Sequence, residues 1–109
     1  MQFIRGTTPS IEITVKTEID LHQIAQIWIT ISQQNKIKID KNINDITSFD
    51  YEKNMIFIKL TQDDTLGLKA GDALFQIRAL LEDGTALATL GVTVEIADIN
   101  KDGVITTGE

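Results

Sequence analysis

Ala73-Leu74-Phe75-Gln76-Ile77-Arg78-Ala79-Leu80-Leu81-Glu82-Asp83-Gly84, followed by Leu90-Gly91-Val92-Thr93-Val94-Glu95-Ile96, holds the two runs whose reading decides the fold. In the first, Phe75, Ile77, Ala79 and Leu81 recur at every second position, as do Leu90, Val92, Val94 and Ile96 in the second. A period of two puts each set on one face of a pleated strand, so both runs are predicted strands. Asp83-Gly84 between them fits a type I′ hairpin turn, whose two central residues need positive φ. The rest of the chain must pack against this ribbon.

Working outward, Ile11, Ile13 and Val15 alternate with Glu12, Thr14 and Lys16 after the turn-rich start Arg5-Gly6-Thr7-Thr8-Pro9. Ile24 to Ser32 carries both a helical stripe and an alternation. Its β-branched residues Ile27, Ile29, Thr30 and Ile31 favour a strand, with Ile27, Ile29 and Ile31 inward and Trp28 outward. Gln33-Gln34-Asn35 is a polar turn into Lys36-Ile37-Lys38-Ile39-Asp40, whose outward lysines suit an exposed sheet edge. Residues 42 to 50 read as a loop with a short strand near Ile46 to Phe49. Met55 to Leu60 is a strand with Ile56, Ile58 and Leu60 inward and Phe57 outward. Thr61, followed by Asp63 and Asp64, is a helix N-cap, and Gly67 stops the helix after one turn. The expected fold is an all-β antiparallel sandwich of about seven to eight strands, with one short helical turn near residues 62–66. Residues 1–97 form the sandwich and 98–109 a tail of the same domain.

The chain has 109 residues, enough for one core without staples. It has no cysteine, so disulfides, thiolate metal sites and cysteine nucleophiles are excluded. Sixteen acids against ten Lys and Arg leave a net charge of −6, which disfavours nucleic acid and anionic membranes as partners. The N-terminus shows no export signal, and no apolar run approaches the roughly 20 residues of a membrane span.

Taken together, Arg5-Gly6-Thr7-Thr8-Pro9, Leu60-Thr61-Gln62-Asp63-Asp64-Thr65, Gly71 leading into Gln76-Ile77-Arg78, the Asp83-Gly84 hairpin and Asp102-Gly103-Val104-Ile105 form a familiar order. It resembles small proteins encoded among the virion genes of phages and prophages of Gram-positive bacteria. It is also similar to the N-terminal immunoglobulin-like domain of phage baseplate upper proteins. The resemblance implies an immunoglobulin-like sandwich that serves as an assembly or adaptor part of a tail or baseplate, made in the bacterial cytoplasm and built into the virion. It would act without catalysis through contacts with other virion proteins or a second copy.

Two sets of residues are candidates for function. Asp98 to Glu109 matches a twelve-residue EF-hand loop: Asp98, Asn100 and Asp102 at positions 1, 3 and 5, Gly103 at 6, Val104 at 7 with its carbonyl, and Glu109 at 12. A hard cation such as calcium wants such a cage of oxygens. This motif gives the alternative expectation, a calcium-binding extracellular attachment module with an EF-hand- or dockerin-like loop. The second set is apolar and outward: Trp28, Phe57, Leu74 and Leu80, a candidate interface through a face shared by Trp28 and Phe57. Catalytic constellations are wanting. His22 is the sole histidine, without a serine partner nearby, and Asp63 and Asp64 are better explained by the helix dipole.

Overall fold

The computed structural model describes residues 1–107, and in them two β-sheets face one another across an aliphatic core. Along the chain come β1 (Gln2–Ile4), β2 (Ser10–Thr14), β3 (Ile24–Gln33), β4 (Lys36–Asn42), β5 (Ser48–Asp50) and β6 (Met55–Lys59). They are followed by α1 (Gln62–Leu66), β7 (Gly71–Leu81), β8 (Ala86–Ala88) and β9 (Val92–Ala97). One sheet has the order β1-β9-β7-β3-β4 with β8 also on β7, and the other the order β2-β6-β5. The strand orders correspond to those of an immunoglobulin sandwich: β2-β6-β5 follows the B-E-D order, and β9-β7-β3-β4 follows G-F-C-C′.

Alternation in the sequence places the core. Ile27, Ile29 and Ile31 of β3 face Ile56 and Ile58 of β6, joined by Leu60, Leu68, Phe75, Val94 and Ile96, all buried. The tryptophan and disulfide that pin antibody domains are replaced here. Trp28 lies on the outer side of its strand, and apolar residues, Phe75 among them, occupy the inner positions of β2 and β7. The helical stripe in residues 21–33 survives only as one 3₁₀ turn, Leu21–Gln23, before β3 begins.

Several expectations need correcting. There are nine strands among the described residues, and β1 runs parallel to β9 rather than antiparallel. The Asp83-Gly84 turn is not type I′, because only Gly84 has positive φ (+90°). Gly84 N–H donates to Leu81 C=O (3.0 Å) and Leu81 N–H to Thr85 C=O (2.9 Å), a type I turn closed by a glycine bulge. The double positive φ falls instead on Gln34 (52°) and Asn35 (64°), the two residues between β3 and β4. The second arm of the ribbon is broken: β8 pairs with Arg78 to Leu80, and β9 with Gly71 to Phe75. Leu90 lies in the break and Val92 is the first residue of β9 beside it, and both are exposed instead of facing the core. Ile37 is also outward, because β4 carries an extra residue, Lys38, between the Ile31–Ile39 and Ser32–Ile37 pairs. Each bulge shifts the alternation by one, and every residue beyond it changes face.

Candidate functional site

The outer face of the larger sheet gathers three of the four predicted interface residues. Trp28 stands between Asn42 of β4 and Arg78 of β7. The Arg78 guanidinium carbon lies 5.2 Å from the indole centroid, a cation–π contact. Leu80, opposite Gln26, continues this row, and with Ala86 the side chains frame a shallow groove of about 180 Å³. Leu74 sits further along the same face, beyond the Thr30–Gln76 pair, flanked by Ser32 and Thr93. It lies over Gly91, where a Cβ would come within 2.6 Å of Leu74 Cδ1, so glycine there makes room for leucine. Trp28 is 49% exposed, Leu74 46% and Leu80 43%.

Phe57 does not join them. It belongs to β6 in the smaller sheet, between Glu12 and Ser48, and is half-buried on that sheet's outer side. The two outer faces point in opposite directions, so the expected shared face of Trp28 and Phe57 does not exist. Sequence alternation identifies outward residues but not which sheet owns them. Ile37, beside Ser32 in register and 62% exposed, extends the Leu74 end of the larger face and was hidden by the Lys38 bulge.

The tail is organised by Arg5. Its Nη1 donates to Asp98 Oδ1 (2.7 Å) and Asp102 Oδ1 (2.9 Å), Nη2 to Leu66 C=O (2.9 Å) and Nε to Leu68 C=O (2.7 Å). The Arg5 side chain is only 13% exposed. Both carboxylates raise its pKa, Asp102 more than Asp98, while Arg5 and then the Ile99 N–H hold the Asp98 carboxyl below its usual range. Ile99 packs on Gly6, and Gln62 brackets Ile105, its Oε1 accepting from Ile105 N–H (2.8 Å) and its Nε2 donating to Ile105 C=O (3.2 Å). Asn100 is exposed, and Val104 sits beside Thr61 and Gln62. Glu109 lies outside the described residues. As placed, the described positions do not fit a calcium ion: two carboxylates share one guanidinium, and no group of three His, Cys, Asp or Glu gathers among the described residues.

The residues weighed for catalysis are held by local structure. Asp20 caps the 3₁₀ turn, accepting from His22 N–H (2.9 Å), a contact that chiefly lowers its pKa. The His22 ring stacks on Tyr51 at 3.9 Å. Asp64 closes a capping box with Thr61 and reaches Lys41 Nζ at 3.0 Å. Partial burial opposes its ionisation, but the Thr61 N–H and Lys41 together keep its pKa below the usual value.

Between the sheets, an apolar cleft of about 300 Å³ opens beside Ile13, Val15, Ile24, Ala79 and Leu87. It exists because β9 pairs with β7 only as far as Phe75, leaving three-residue β8 alone at that end. Among the described residues no helix is long and apolar enough to cross a membrane. Comparison with models of known protein families finds no match to this chain, and comparison with curated proteins finds none either.

Proposed function

We propose that this chain is a non-enzymatic structural or adaptor module of a phage or prophage virion, working in a tail or baseplate through protein contacts. The observation that carries this reading is the outer face of the larger sheet, where Trp28, Leu74 and Leu80 stand exposed together on a rigid support. Large apolar side chains gathered on one surface mark an interaction site more often than chance. Threonine, glutamine and Arg78 around them supply the polar rim of an interface. The order of turns that resembles virion proteins supports the setting, and the partner is another virion protein or a second copy.

The alternative, a calcium-gated attachment module, would require Asp98 and Asp102 to leave Arg5. A direct experiment is mass spectrometry of particles purified after inducing the strain that carries the gene. The chain is expected in the particles, and Trp28→Glu with Leu80→Lys should fold but lose at least about 2 kcal/mol of docking, roughly thirtyfold, and be depleted from them. Wild-type chain found only in the particle-free lysate would end this reading.

A further inference from the structure

We propose that Arg5 is the resident cation of the C-terminal loop: its guanidinium takes the place that calcium holds in a loop of this spelling, and it fastens the tail to the sandwich without metal. Three observations converge on this assignment. First, the side chains at positions 1 and 5 of the loop, Asp98 and Asp102, meet at one atom, Arg5 Nη1, at 2.7 and 2.9 Å. Those distances are charge-assisted hydrogen bonds, and they use the oxygens that a calcium ion would coordinate at about 2.3–2.6 Å.

Second, Arg5 is not free to leave. Its other two nitrogens donate to the carbonyls of Leu66 and Leu68, one at the end of α1 and one in the link to β7. These carbonyls have no further helical turn to accept from, so the guanidinium completes them. Expelling it would strand two part-buried acceptors and set a monovalent cation beside a divalent one. The electrostatic and hydrogen-bond costs both oppose exchange.

Third, the loop is fixed by more than charge. Ile99 Cδ1 lies 3.1 Å from where a Cβ on Gly6 would stand, and Gln62 pairs with both backbone groups of Ile105. Arg5 and Gly6 are adjacent in sequence, so one turn supplies both the cation and the seat for Ile99. Residues 98 to 105 thus form a strap with an ionic clasp, and the N-terminal turn holds the C-terminal segment.

The test uses the full chain, with amide NMR shifts and melting temperature followed during a calcium titration of chelated protein. Up to about 10 mM calcium, ample for weak extracellular loops, the Asp98, Asn100 and Asp102 amides of the wild type should show no saturable shift. Asp98→Asn with Asp102→Asn should release the strap. Amides 99 to 105 would then move to random-coil positions and exchange roughly tenfold or more faster, while β3 and β7 amides keep their protection. Arg5→Gln should do the same, and calcium should not restore order in either variant. Saturable calcium binding with shifts at Asp98 and Asp102 in the wild type would overturn the proposal. So would a double Asp→Asn variant whose strap amides stay where they were.

Discussion

Gln33 shows how a single polar side chain can hold two elements together. It is 7% exposed, its Oε1 accepts from Lys69 N–H (2.9 Å), and its Nε2 donates to Lys69 C=O (2.8 Å). The amide thus plays the part of a missing strand residue beside the link into β7. Replacing it with leucine keeps the bulk but leaves the part-buried backbone bonds to Lys69 unmade, so Gln33→Leu should cost about 1–3 kcal/mol, read as a lower urea midpoint. An unchanged midpoint would mean that water takes over both bonds. Asn54 does a similar job at φ 56°, donating to the carbonyls of Val15, Lys16 and Ile19. The carboxylates give a pH dependence. Asp98 and Asp64 both have folded pKa values below the ordinary 3.8. The stability they add is therefore full above that value and drains away as pH falls through the lower folded values. Acid titration followed by NMR should show the Asp98 and Ile99 amides shifting only below about pH 4, with neutral and mildly acidic spectra superimposable.

At the scale of elements, turn chemistry explains where the ribbon departs from a simple hairpin. Asp83-Gly84 spells a two-residue turn, yet glycine there closes a three-residue loop. The true two-residue turn, Gln34-Asn35, carries both residues at positive φ without a glycine. Left-handed backbone costs an ordinary side chain about 1–2 kcal/mol, and glycine nothing in sterics. Gln34→Asn with Asn35→Gly should therefore stabilise the protein by about 1 kcal/mol, raising the melting temperature by roughly 4 °C. A drop in melting temperature would show that contacts of the present side chains outweigh backbone strain. The helix α1 was legible from Thr61 and Asp64, since a capping box depends on residues three apart and needs no tertiary partner.

For the whole molecule, the decisive fact is that a sandwich has two outer faces. Trp28 and Phe57 sit on opposite ones, so substitutions at the two should separate. Phe57→Lys should leave oligomeric state and incorporation into particles at wild-type levels in light scattering and particle purification. Trp28→Glu should change whichever of these the larger face serves. Equal effects of both would place the contact elsewhere.

The sequence by itself determined that the fold is all-β, which strands carry the core, where the helical turn starts and stops, and that Trp28, Leu74 and Leu80 point outward. These follow from period, β-branching and capping, all of which act over a few residues. Only the tertiary structure decided that the second arm breaks into β8 and β9, that Lys38 turns Ile37 outward, and that Phe57 faces away from Trp28. It also decided that Arg5 reaches Asp98 and Asp102, more than ninety positions along the chain. Bulges and long-range ion pairs arise when strands find their partners across the sheet, and a one-dimensional pattern holds no record of which distant backbone will lie beside it.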